Sequence, residues 1–159
     1  MFTPIFHDIR AKHDRQASHD AFSVMTNAMG LIAILTAALG WFFSKTIAGF
    51  LVPGFEAEDL QRCASFFAVT SPLVIFQVIN GMFSNFLRAE HFYGVTESMN
   101  FCGKIVNLLI LLALGWTYGA WALVLGLWCG AVIRFAGHLI FVFRLGYRYR
   151  PIFLSLIHI

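Results

Sequence analysis

The sequence predicts an all-α protein that crosses a membrane four times. Hydrophobic residues make up 59% of its 159 residues and charged residues only 12%, about half of the roughly 25% expected of a soluble domain. Two stretches without any charged residue, 21–44 and 63–87, each exceed the roughly 20 residues that a helix needs to cross the hydrocarbon core. These stretches are the first and second predicted spans.

The region from Ser98 to Phe143 predicts two further spans. As a single helix it would be about 69 Å long, more than twice the hydrocarbon thickness. The two glycines of GWTYG, at 115–119, weaken a helix, and the aromatic residues between them suit the headgroup level. We therefore expect a turn there, between a third span at 98–114 and a fourth at 120–143.

Positive charges gather at one end of these spans. An even number of spans places both chain ends on the same side of the membrane, and the positive-inside rule predicts that this side is cytoplasmic. Its cations are Arg10, Lys12, Arg15, Arg88, Arg144, Arg148 and Arg150, against Lys45 and Arg62 on the other side. Because the 11 Lys and Arg residues lie between apolar runs and form no single basic face, nucleic acid is not an expected partner.

Nothing in the sequence predicts an enzyme, a cofactor or a metal site. Cys63, Cys102 and Cys129 stand alone, with no C-x-x-C pair and no His at ligand spacing. The acidic residues between Glu56 and Asp59 form one short cluster with no matching set on the cytoplasmic side, so a membrane transferase is not favoured.

Polar residues recur along one side of the second and third predicted spans. Because polar side chains are costly in lipid, we expect these stripes to line a shared water-filled cavity or to hydrogen-bond between helices. The stripes are Gln77, Asn80, Ser84 and Arg88, and Glu97, Asn100, Lys104 and Asn107.

Two cations lie inside the predicted spans. Arg134 lies roughly 14 Å from Phe143, near the midplane, where a charge costs at least about 2.5 kcal/mol and needs a partner. Lys104 lies roughly 10 Å from the cytoplasmic end of its span, so its ammonium either reaches the interface or enters the cavity. His138, one turn after Arg134, either hydrogen-bonds a neighbour or titrates. The candidate cavity residues are Arg134, Lys104, Asn100, Asn107, Gln77, Asn80 and His138.

Small residues form stripes in the first and last spans, and we interpret both stripes as helix-packing faces because small side chains let helices approach closely in lipid. The first stripe consists of Ser23, Thr26, Gly30, Ala33, Ala37, Gly40 and Ser44. The second is the G-x-x-x-G of Gly126 and Gly130.

Three motifs carry a family resemblance: VPGF at 52–55, FTPIF at 2–6 and GAWALVLG at 119–126. The first resembles the APGF that follows the third helix of the lipid II flippases (MurJ/MviN), which belong to the multidrug/oligosaccharidyl-lipid/polysaccharide exporter superfamily. The second is similar to the cytoplasmic end of that family's second helix. The third is shared with oligosaccharide flippases of the same superfamily.

The resemblance implies that residues 1–153 are part of the N-terminal lobe of a fold of about fourteen helices, from the tail of helix two to helix six. It implies a transporter in the bacterial cytoplasmic (inner) membrane that moves an undecaprenyl-diphosphate-linked saccharide, lipid II, by alternating access through a cationic cavity, for peptidoglycan synthesis. The implied partners are that substrate, membrane lipids and the remainder of the chain. The arginines most associated with the family's cavity lie in helices one, two and eight, so no residue's role is carried over.

Two alternatives stay open. The segment YGVTESMNFCGKIVNLL, at 93–109, lacks the prolines common there in lipid II flippases and carries Lys104, which leaves an oligosaccharide or O-antigen lipid flippase open. A non-transporting membrane scaffold subunit would need only the small-residue stripes and no buried charge.

The last six residues, LSLIHI at 154–159, predict a non-native tail. They are what results when the transposon end sequence common in sequencing adapters is translated in one frame. We interpret them as read-through from an adapter and expect the chain to be a piece of a larger protein.

Overall fold

A computed structural model describes residues 15–146 of the chain, with side chains from Phe22 onward. Within this part every regular element is a helix, as the sequence predicts, so the all-α class is confirmed. The helices are α1 (Arg15–Phe42), α2 (Ser44–Leu51), α3 (Ala57–Thr70), α4 (Leu73–Ala89), α5 (Tyr93–Tyr118) and α6 (Ala120–Arg144). The FTPIF motif, Arg10, Lys12, Arg148, Arg150 and the tail at 154–159 lie outside the described residues.

Four segments of the described chain are long and apolar enough to cross a membrane. They are Phe22–Phe42, Ala57–Ala89, Tyr93–Tyr118 and Ala120–Arg144. The second segment begins at Ala57, ahead of the expected start at Cys63, and consists of two helices, α3 and α4.

The helix ladder of this second segment is interrupted at Pro72, which has no amide hydrogen to donate. Two side chains bond to carbonyl groups beside the break. The indole Nε1 of Trp128 donates to the carbonyl oxygen of Val69 at 3.1 Å, and the Ser71 hydroxyl donates to that of Phe67 at 2.7 Å. Backbone groups at membrane depth need partners because hydrocarbon supplies none, and Trp128 gives one to Val69. The Phe67 carbonyl already accepts from the Ser71 amide at 2.9 Å, so its second bond satisfies the Ser71 hydroxyl.

The turn between the last two spans is shorter than the sequence suggests. Helix α5 continues through Gly115 to Tyr118, and the chain reverses at Gly119, whose φ of 54° and ψ of −130° suit only glycine well. A helix that continues keeps its backbone groups bonded in lipid, which offsets the weak helix propensity of Gly115.

The helices pack in the spatial order α1, α4, α6, α5, and α2 lies against α3. At one end of the bundle, the rings of Phe22 and Phe86 lie 4.8 Å apart between α1 and α4, next to the fully buried Leu87 and Val142. Helix α5 is the outermost element of the described bundle and is exposed along most of its length.

Glycines bring the backbones of α5 and α6 into contact. A Cβ atom at Gly130 would lie 2.5 Å from the carbonyl oxygen of Gly103, and one at Gly126 would collide with Asn107. Nearer the end of α6, a Cβ atom at Gly137 would collide with the side chain of Met99. These close approaches fix the relative register of the two helices.

Part of the small-residue stripe of α1 is packed against other helices, and part of it faces an open cleft. Ser23, Ala33 and Ala37 are buried, and a Cβ atom at Gly40 would lie 2.5 Å from the Ser71 hydroxyl at the break of the second span. Apart from neighbouring residues of α1, no described atom lies within 4 Å of the Cβ position of Gly30, which faces an open cleft.

Candidate functional site

An inner cavity of about 190 Å³ lies between α4, α5 and α6. Four of the seven candidate cavity residues line it, and all four are polar or positively charged. They are Gln77 on α4, Lys104 and Asn107 on α5, and Arg134 on α6. Its walls are completed by Gly103, Gly126, Leu127 and Gly130.

The side chain of Arg134 crosses the face of Gly103. A Cβ atom at Gly103 would lie 2.5 Å from Cγ of Arg134, so only glycine leaves this path open. The Nε of Arg134 donates to the carbonyl oxygen of Gly130 at 3.2 Å. This bond holds the guanidinium group at the cavity, and the structure records no hydrogen bond from its two terminal nitrogens to residues 22–146.

Lys104 lies at a depth similar to that of Arg134. Because α5 begins at Tyr93, Lys104 is about 16 Å along the helix, deeper than the roughly 10 Å that the sequence suggests, and Arg134 is about 15 Å from the end of α6 at Arg144. Neither cation forms an ion pair within residues 22–146, and no acidic side chain from that range lines the inner cavity. The cavity is therefore cationic.

The amide of Asn107 adds an unpaired acceptor beside these cations. Its Oδ1 atom is buried and has no hydrogen-bond partner among the described residues. A buried acceptor without a donor costs free energy, so a ligand hydroxyl or a water that donated to Oδ1 would be stabilised there.

An outer groove of about 410 Å³ runs along α5 next to the inner cavity. It is lined by Glu97, Ser98, Asn100, Phe101 and Lys104. Because Lys104 also lines the inner cavity, the two spaces lie next to each other along α5, and we refer to them together as the polar path. Asn100, the fifth of the candidates, belongs to this outer part.

Asn80 and His138 lie elsewhere, as a buried pair between α4 and α6. The Asn80 amide nitrogen donates to the carbonyl oxygen of Ala131 at 3.4 Å, so its oxygen accepts from Nδ1 of His138, 3.3 Å away. His138 is fully buried, and its Nε2 has no partner in the part of the chain that the structure describes. The pair links two helices and does not line the inner cavity.

A larger space of about 520 Å³, the apolar cleft, lies between α1, α4 and α6. Its lining contains Thr26 and Asn27 but is otherwise apolar, with Phe83 and Phe135 among its walls, and no charged residue of the described chain contributes to it. This cleft does not suit an anionic headgroup. The described residues also contain no group of three or more His, Cys, Asp or Glu side chains that could hold a metal ion.

Gly103 is not among the residues that the sequence predicts for the site, although it makes room for Arg134. The available signal was its position one turn before Asn107, on the α5 face that meets Gly126 and Gly130. Trp128, whose indole bonds across to α3, is likewise not predicted by the polar stripes.

The apolar helices and the polar cavity among them define a polytopic, all-α membrane protein. The family model described as Lipid II flippase MurJ matches residues 1–157. The chain belongs to this family, and the predicted resemblance to the lipid II flippases is confirmed. No curated protein and no solved structure matches the chain.

Proposed function

We propose that this chain is part of a flippase that moves lipid II, an undecaprenyl-diphosphate-linked saccharide, across the bacterial cytoplasmic membrane for peptidoglycan synthesis. The observation that carries the proposal is the pair of cations, Lys104 and Arg134, in a polar cavity at mid-depth with no acidic residue of the described chain in its lining. Membership of the family supports the same substrate.

The inner cavity suits the diphosphate of such a substrate. The planar guanidinium of Arg134 can donate two parallel hydrogen bonds to phosphate oxygens, and the Lys104 ammonium adds a second positive charge. Gln77 and Asn107 supply amide donors and acceptors on the facing walls. At about 190 Å³ the cavity is smaller than the roughly 300 Å³ of typical small-molecule pockets, so we assign it to a phosphate group and not to the whole headgroup.

The outer groove provides the path to this cavity. By the positive-inside rule the end of the bundle with Arg88 and Arg144 is cytoplasmic, so the groove begins near the leaflet in which the substrate is made. The saccharide would travel along the polar side of α5 while the polyprenyl tail stays in the bilayer. Alternating access of the intact transporter would then expose the same cations to the other side.

An oligosaccharide-lipid flippase is the second candidate. The segment that carries Lys104 forms an unbroken helix, Tyr93–Tyr118, without the prolines that the lipid II flippases commonly have there. The inner cavity would serve both functions, because a diphosphate links lipid and saccharide in both substrates. Competition between lipid II and an O-antigen lipid for transport distinguishes the two candidates.

Replacement of Arg134 tests the proposal. In the full-length protein, Arg134→Ala should lower the rate of lipid II flipping about ten- to a hundredfold, because charge-assisted hydrogen bonds to the diphosphate are lost. Arg134→Lys keeps the charge but loses the bidentate geometry, and it should fall between Arg134→Ala and the wild type.

Arg62→Ala is the matched control for this experiment. Arg62 is exposed at the other end of the bundle, where it pairs with Glu58, so its removal should leave flipping at the wild-type rate. Unchanged flipping by Arg134→Ala would remove the proposed role of the inner cavity. Absence of lipid II flipping by the wild-type protein would instead favour a scaffold without transport activity.

A further inference from the structure

An ion pair stands at the start of the polar path. The Nη2 atom of Arg88, near the end of α4, lies 2.6 Å from Oε1 of Glu97 in the second turn of α5. The two side chains are 43% and 64% exposed, so water surrounds much of the pair. Exposed pairs of this kind contribute little to folding stability, which leaves room for another role.

The charge of Glu97 opposes the proposed substrate. Glu97 is the one acidic residue among the described residues that line the outer groove, and the inner cavity beyond it carries Lys104 and Arg134. Lys104 also lines the outer groove, but Glu97 lies about two turns nearer the start of α5, so a headgroup that enters from that end passes the carboxylate before it reaches the two cations. A like charge at the rim of a site slows association and weakens binding.

Arg88 is placed to cancel this charge. It does not line the groove, and the ion pair that the structure records for it is with Glu97. The described part of α4 has no other charged residue, because Leu73 to Leu87 are all neutral. The neutralisation of Glu97 from the α4 side therefore depends on Arg88 alone.

We propose that Arg88 is a positioning residue for substrate access: it holds the Glu97 carboxylate and cancels its charge at the mouth of the outer groove, so that a diphosphate-linked substrate reaches Lys104 and Arg134. This role rests on the proposed function. It predicts that binding follows the net charge at the mouth, which is zero for the pair, negative without Arg88 and positive without Glu97.

A double-mutant cycle on the full-length protein in nanodiscs tests the role, with purified lipid II as the probe. At low salt, Arg88→Gln should slow association and weaken the apparent Kd about two- to fivefold, the range expected of one exposed charge. Glu97→Gln should strengthen binding by a similar factor. The double variant should return to the wild-type value, because its mouth is again neutral.

Salt dependence separates charge from structure. At high salt the four proteins should have similar apparent Kd values, since exposed charges are screened over a few ångströms at about 1 M salt. If the ion pair acted only by holding α4 and α5 together, both single variants and the double variant would bind lipid II equally weakly at every salt concentration. Direct contact of Arg88 with the substrate would leave the double variant as weak as Arg88→Gln. Either pattern would overturn the proposal.

Two further variants keep this test independent of the proposed function. Arg62→Gln, which breaks an exposed pair at the other end of the bundle, should bind like the wild type at all salt concentrations. If Arg134→Gln binds lipid II normally, the proposed function fails. If Arg134→Gln loses binding while Arg88→Gln matches the wild type at low salt, only the role of Arg88 fails.

Discussion

Gly103 determines where the Arg134 side chain lies. Its missing Cβ leaves the space through which the Arg134 methylene groups pass, and the Gly130 carbonyl lies 2.8 Å from the same position. Any side chain there would meet a flexible chain on one side and fixed backbone on the other. Arginine can bend away, but the backbone of α6 cannot, so the cost falls on the packing of α5 against α6.

Gly103→Ala should therefore lower both stability and transport. We expect a loss of about 1–3 kcal/mol in the free energy of unfolding, the range for overpacked sites, together with slower lipid II flipping because Arg134 is displaced. Gly94→Ala is the control, since Gly94 lies on the same helix and, apart from neighbouring residues of that helix, no described atom lies within 4 Å of its Cβ position. The interpretation would be wrong if the two variants behaved alike.

Helical spacing was enough to predict that several of the polar residues lie close together. Gln77, Lys104, Asn107 and Arg134 meet in one cavity because steps of three and four residues place polar groups on one face of each helix. The pairing of Asn80 with His138 did not follow from spacing. It depends on how α4 is rotated toward α6, which is a property of packing and not of either helix alone.

At the scale of whole elements, the second span shows that charge and hydropathy do not predict whether a span is one helix or two. The stretch 63–87 is uncharged, and this property is the same whether the helix is straight or broken at Pro72. At the break, the Val69 carbonyl accepts from the indole of Trp128, which is 59 residues away in the sequence. Charge and hydropathy cannot reveal such a distant partner. Gly115 shows the opposite case: the sequence predicts a break at this glycine, but the structure has a continuous helix there.

Trp128→Phe should weaken the junction of α3 with α6 and little else. Loss of the indole donor leaves the Val69 carbonyl short of a partner, and we expect a cost of about 0.6–1.7 kcal/mol, as for other hydrogen bonds between membrane helices. Unfolding in detergent measures this cost. Trp121→Phe, which removes an indole that packs against Phe66, controls for the change in ring size. Equal losses in both variants would assign the effect to packing.

At the scale of the whole molecule, composition, charge-free stretches and segment lengths were enough to predict the number of spans and the helical class, but not the order in which the helices pack. The order α1, α4, α6, α5 follows from where small residues permit close approach, as between Gly103 and Gly130. It also leaves the apolar cleft between α1 and α6, beside α4. These features depend on contacts between elements that are far apart in the sequence.

The orientation of the bundle can be tested by thiol labelling. With the three native cysteines replaced by serine, Glu56→Cys, ahead of α3, should react with an impermeant maleimide in intact cells. Gly94→Cys, in the first turn of α5, should react only after permeabilisation, because the positive-inside rule places that end in the cytoplasm. The reverse pattern would invert the proposed topology and the direction of the polar path.

The backbone contact between Gly103 and Gly130 has a mechanical consequence. Two helices that touch at their main chains cannot slide or roll past each other without a collision, so α5 and α6 would move as one rigid body, with Lys104 on one and Arg134 on the other. The distance between these two charges would then stay constant through a transport cycle. Gln77, on the separate helix α4, would be the part of the cavity lining that moves. The binding of a phosphate would then strengthen or weaken with the distance of Gln77 from the two cations.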